Sequence, residues 1–130
     1  HIFYVHGCGD IVHKEANENV GVIIGFGLGI KKDSLTCDIW RKNLFVDLWN
    51  KYTDSGCAFQ GKCGGKYAGR DSNNLNQYFR KHEIDLNVQT MQLEFPFSKR
   101  KTEEDAQRTG RCLANCIESY LQYKHYEQDC

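Results

Sequence analysis

The chain opens on His1-Ile2-Phe3-Tyr4-Val5-His6, a short β-branched and aromatic run that predicts a buried strand ending at Gly7, with a turn over Gly7–Asp10. Residues 11–19 read as loop. Val20–Phe26 is continuously apolar, the pattern of a strand buried on both faces, and Gly27 and Gly29 break it. Asp33 or Ser34 then caps a helix whose apolar stripe is Cys37, Trp40, Leu44, Leu48 and Trp49, and Gly56 stops it. Cys57-Ala58-Phe59 has the length of an edge strand. Gly61–Arg70 holds four of the 12 glycines and predicts a loop, and Asp71 or Ser72 opens a short helix covering Leu75, Tyr78 and Phe79.

Val88–Phe95 alternates. Met91, Leu93 and Phe95 fall on one face of a third strand, and Thr90, Gln92 and Glu94 on the other, with Pro96 ending it. From Thr102, which forms a capping-box-like start with Asp105, a long helix runs to about Tyr123. Its inner stripe is Ala106, Thr109, Leu113, Cys116 or Ile117, and Tyr120. Strands alternating with helices predict an α/β fold, a parallel or mixed sheet flanked by helices. No internal repeat or linker divides the chain, so residues 1–130 read as a single domain.

Composition narrows the function classes. Lys+Arg and Asp+Glu balance at 17 each, which leaves no basic excess for nucleic acid. The longest apolar stretch, Val20–Ile30, is about half a membrane span and carries four glycines, which excludes a transmembrane helix there. The seven cysteines suit an oxidising, extracellular or secretory compartment, and their odd number predicts a free thiol or an intermolecular disulfide. Cys57 and Cys63 have the spacing of a small disulfide loop, although sequence leaves the pairing open. Cys112 and Cys116 share a helix face, but with His125 they fall short of a four-ligand metal set. The chain starts at His1 without a signal-like segment, as a processed product or excised piece does.

Ligands of α/β sheets bind beyond the carboxyl ends of the strands. His6 and Glu94 are the polar residues at such ends, either as rim side chains or, together, as a metal-ligating imidazole and a carboxylate that takes a proton from water. The Gly61–Arg70 loop carries three cations. They are either solvated or suited to an anionic group, with Arg70 forking onto a carboxylate.

Tyr4-Val5-His6-Gly7, the strand Val20–Gly25, the glycine-rich loop and Met91-Gln92-Leu93-Glu94 together resemble the N-formylglutamate amidohydrolases and the phage-type poly-γ-glutamate hydrolases. The resemblance covers roughly residues 2–123. It implies a carboxypeptidase-like zinc-hydrolase fold, of which this chain corresponds to the C-terminal half. It further implies His6 as a zinc ligand, Glu94 as the catalytic carboxylate and, more loosely, Arg70 as a substrate-binding residue. The family's other two zinc ligands, a His and a carboxylate, lie in an N-terminal half, and His13, His82 and His125 do not match them. Zinc would therefore bind only if the missing ligands come from outside this chain, from an N-terminal segment or a partner chain. The Cys content and the continuation Pro96–Arg100 also depart from the family pattern.

Two functions follow. One is a part of a zinc-dependent amidohydrolase-like domain acting on an amide bond near a carboxylate, inactive as this chain alone. The other is a non-catalytic extracellular binding or assembly protein built on the same fold and stapled by disulfides, a pseudoenzyme.

Overall fold

A computed structural model of the 130-residue chain describes residues 1–8, 20–27, 35–53, 57–60, 67–71, 73–78 and 88–123. The fold is α/β. Its elements are β1 (Ile2–Cys8), β2 (Val20–Gly25), α1 (Ile39–Tyr52), β3 (Cys57–Gln60), β4 (Thr90–Pro96) and α2 (Glu103–Gln122), with 3-10 turns at Leu75–Gln77 and Phe97–Lys99. One four-stranded sheet has the order β1-β4-β2-β3. It is mixed: β1 runs parallel to β4, β2 parallel to β3, and the two pairs meet antiparallel along β2 and β4.

The central strands are the most apolar in sequence. Every residue of β2 and β4 is buried. On one face Val22, Ile24, Met91, Leu93 and Phe95 pack against Phe45 and Trp49 of α1 and Cys112, Cys116 and Tyr120 of α2. Both helices therefore lie on the same side of the sheet. Polar ties join them: Tyr52 Oη and Ser119 Oγ are 2.8 Å apart, and the Cys112 and Cys116 thiols donate to the carbonyls of Tyr52 and Phe45.

Four expectations need correcting. Helix α1 starts at Ile39 with Asp38 at its N-cap, and its buried stripe is centred on Phe45 and Trp49. Leu44 and Leu48 only flank it. The expected caps Asp33 and Ser34 and the stop at Gly56 lie outside the described residues. In α2, Thr102 caps as expected and accepts from the Asp105 N–H, but the buried line is Cys112, Cys116 and Tyr120, and Ala106 is exposed. The first turns of α2 run beside an open groove instead of onto the sheet. The segment expected as a short apolar helix is a 3-10 turn at Leu75–Gln77 that buries Asn76 and Gln77, whereas Leu75 and Tyr78 are exposed. Hydrogen bonding, not apolar periodicity, decides which side of that turn faces inward. The expected turn at Gly7 is absent, because β1 continues through Cys8.

Cys37, Cys112 and Cys116 are buried free thiols. Burial pushes Cys37 and Cys116 up from 9.0 to about 12, and the Asp38 carboxylate adds to the rise at Cys37. The thiolate is the reactive form, so iodoacetamide at pH 8 should leave both unmodified in the folded protein and alkylate both after denaturation. The same rise means that the unfolded chain loses these protons first. Stability is fully present below pH 9 and falls as pH climbs from there towards about 12. Peptide mass spectrometry reads the alkylation, and alkylation of both in the native protein would contradict their enclosure.

Candidate functional site

The face of the sheet opposite the helices carries the sequence-predicted candidates. Alternation in β4 sends Thr90, Gln92 and Glu94 there, and all three are buried, Glu94 at 7% exposure. A solvent-facing Glu94, one of the alternatives at the sequence level, is thereby excluded. Residues 67–71 and 73–78 run over this face and close it.

Several close approaches hold that covering segment. The Gly27 N–H donates to the Ala68 carbonyl at 2.8 Å. A Cβ at Gly25 would collide with the Tyr67 carbonyl oxygen and the Ala68 backbone, so only glycine lets the strand and the segment meet. Gly69 sits at φ +66, the left-handed region, beside the Asn76 amide. Asn76 Nδ2 donates to the carbonyls of Gly25 and Gly69 and to Thr36 Oγ1. Gln77 Nε2 donates to the Gly69 carbonyl, Thr90 Oγ1 to the Asn76 carbonyl, and Thr36 Oγ1 to the Thr90 carbonyl. A buried polar layer thus takes the place that a second helical layer occupies in a three-layer α/β domain, with almost every member satisfied. The exception is Asn76 Oδ1, which is buried without a hydrogen-bond partner.

His6 and Glu94 are register partners on β1 and β4, with Ile23 of β2 on the other side of Glu94. Parallel neighbours lie about 4.8 Å apart, so the two residues expected at one sheet edge stand side by side near the carboxyl ends of the two strands. Their environments differ, since His6 is exposed. Gln92 Nε2 donates to Glu94 Oε1 at 2.9 Å, and Asn74 Nδ2 donates to Gln92 Oε1 at 2.7 Å.

Arg70 is half-buried and follows Gly69 in the covering segment. Among the described residues no ion pair joins it to Glu94. The rest of the candidate cationic loop, residues 61–66, lies outside the described residues, as do His13, His82 and His125. Among the described residues no group of three or more His, Cys, Asp or Glu could hold a metal, and no helix is long and apolar enough to cross a membrane.

Sequence reading missed Asn74, Asn76, Thr36 and the support that Gln92 gives. The signal was present as the amide-rich stretch Asn73–Gln77 opposite a strand face made of Thr, Gln and Glu. Polar side chains on a buried strand face require partners, and a nearby run of amides can supply them. No protein-family model matches the chain, and neither a curated protein nor a solved structure matches it.

Proposed function

We propose that the chain carries part of a hydrolytic site that cleaves an amide bond near a carboxylate, in the manner of the zinc amidohydrolases it resembles. The observation that carries this reading is the pairing of a buried carboxylate, Glu94, with an imidazole, His6, in register near the carboxyl ends of two parallel strands. Glu94 takes a proton from the attacking water and returns it to the leaving amine. Arg70, in the segment above, receives the substrate carboxylate through its guanidinium fork.

A catalytic zinc uses three protein ligands, and His6 is the one imidazole beside Glu94 among the described residues, so these residues do not by themselves hold the ion. In this reading His6 contributes one ligand, and the rest come from an N-terminal segment or a partner chain. When bound, zinc would supply Lewis-acid polarisation of the amide carbonyl and of water.

The test is metal content after dialysis, measured on residues 1–130 and on the complete protein, together with hydrolysis of N-acyl amino acids by the latter. The expected result is no tightly held zinc in residues 1–130, and one zinc with amide hydrolysis in the complete protein. One tightly held zinc per 130-residue chain would overturn the shared-ligand arrangement, and a complete protein without amidase activity would overturn the enzymatic reading.

A second reading is favoured by the enclosure of Glu94, which Gln92 already engages. In it the fold is a non-catalytic extracellular binding or assembly module. Since Cys37, Cys112 and Cys116 are free, its disulfide staples would draw on Cys8, Cys57, Cys63 and Cys130.

A further inference from the structure

The hydrogen-bond chain that ends on Glu94 has a direction, and its two ends fix it. At one end the backbone N–H of Asn76 donates to Asn74 Oδ1 at 2.8 Å, the capping bond of the Leu75–Gln77 turn. A backbone N–H can only donate, so the Asn74 oxygen must face it, and the Asn74 NH₂ must face the other way. There it meets Gln92 Oε1 at 2.7 Å. The Gln92 oxygen is thereby committed, and its NH₂ is turned to Glu94 Oε1 at 2.9 Å. At this far end an ionised carboxylate can only accept. Reversing either amide would set donor against donor or acceptor against acceptor at both of its contacts.

The starting point of the chain is itself immobilised. The Asn76 side-chain NH₂ donates to Gly25, Gly69 and Thr36, and the Asn76 backbone carbonyl accepts from Thr90 Oγ1. The orientation of one backbone N–H in a turn is therefore transmitted through the half-buried Asn74 amide and the buried Gln92 amide to one oxygen of Glu94. Aligned hydrogen bonds of this kind polarise one another inside a protein.

We propose that Asn74 and Gln92 are positioning residues for Glu94: together they form an amide relay that locks the Glu94 carboxylate to the turn covering the site. The functional side of this proposal rests on the reading of Glu94 as the proton acceptor, while the relay can be tested without it. The bond from Gln92 to Glu94 Oε1 narrows the rotation of the carboxylate, which helps a base meet a water in one geometry.

Asn74→Ser and Asn74→Asp separate the relay from simple folding. Both keep an oxygen for the Asn76 N–H, so the turn retains its cap, and both remove the NH₂ that orients Gln92. The readout is the pair of side-chain amide protons of Gln92 in nitrogen-15 spectra of the full chain. In the wild type, one of these protons should be shifted and protected from exchange by the carboxylate. In both variants that protected signal should be lost while the backbone spectrum keeps its dispersion. An unchanged Gln92 signal in the two variants would overturn the relay.

In the complete protein, Asn74→Ser should lower kcat by about 10- to 100-fold at unchanged KM. Wild-type kcat in that variant would overturn the positioning role. Full hydrolysis by Glu94→Gln alongside a lost Gln92 signal would instead sink the reading of Glu94 as a base and leave the relay standing.

Discussion

Replacing Glu94 by Gln should reduce amide hydrolysis by the complete protein about 10²- to 10⁴-fold, the usual contribution of a positioned general base. The substitution is chosen to leave the fold intact. Gln has nearly the same shape and still presents an oxygen to Gln92 Nε2, which now donates to Glu94 Oε1. Met91, Leu93 and Phe95 occupy the opposite face of β4 and are not disturbed. The melting temperature should therefore stay close to that of the wild type while turnover collapses. A purely structural Glu94 gives the opposite pair of results: turnover survives, and any loss appears as instability of the polar layer. Measuring hydrolysis and thermal unfolding on the same preparations separates them, and wild-type turnover in Glu94→Gln would reject the base assignment.

Phe45→Ala should cost about 3–5 kcal/mol of folding stability. Phe45 is fully buried at the middle of α1, with its ring centroid 5.6 Å from that of Phe3 on β1 and 5.9 Å from that of Tyr120 on α2. It is thus the side chain at which the first strand and both helices converge. Truncation leaves a cavity lined by aromatic rings, which relax poorly into the space. A domain of this size is stable by roughly 5–15 kcal/mol, so one substitution removes a large share of the total. The control is Ile39→Ala at the start of the same helix. Ile39 is 55% exposed, and its loss should fall within about 0.5 kcal/mol. Equal costs for the two variants in denaturant unfolding would contradict the placement of the core.

What the sequence made legible, and what it concealed, divides along physical lines. The strands were readable because their cause is local: continuous apolarity in Val20–Gly25 and strict alternation in Met91–Phe95 each mark a strand and its two faces, whereas the burial of the polar face of β4 depends on the segment that covers it. Thr102 was readable as a cap because the bond it makes reaches only to Asp105. The stripe of α1 was misplaced by one position, since Trp40, Leu44, Phe45, Leu48 and Trp49 are all apolar and several rotations of the helix satisfy the pattern. Only the sheet beneath chooses Phe45. His6 and Glu94 could be assigned to one edge from strand ends, and their register confirms that proximity. The amides that lead to Glu94 could not be found that way. Asn74 and Gln92 are ordinary polar residues until the chain returns over the sheet, half-burying the first and burying the second.

The parallel pairing of β1 with β4 sets a constraint on how the protein is made. Ile2 pairs with Thr90 and Cys8 with Pro96, so the ladder joins two segments 88 residues apart in sequence. Synthesis proceeds at roughly 5–20 residues per second, and β1 must wait several seconds for its partner to leave the ribosome. During that interval Ile2, Phe3, Tyr4 and Val5 have no ladder to join, and Phe3 has no Phe45–Tyr120 aromatic surface to pack on. β2, α1 and β3 are contiguous in sequence and can assemble while β1 waits. Closing so long a loop is slow compared with forming that local unit. The nascent chain therefore carries β1 as an unpaired aromatic strand, a segment suited to capture by a chaperone and exposed to aggregation until β4 arrives.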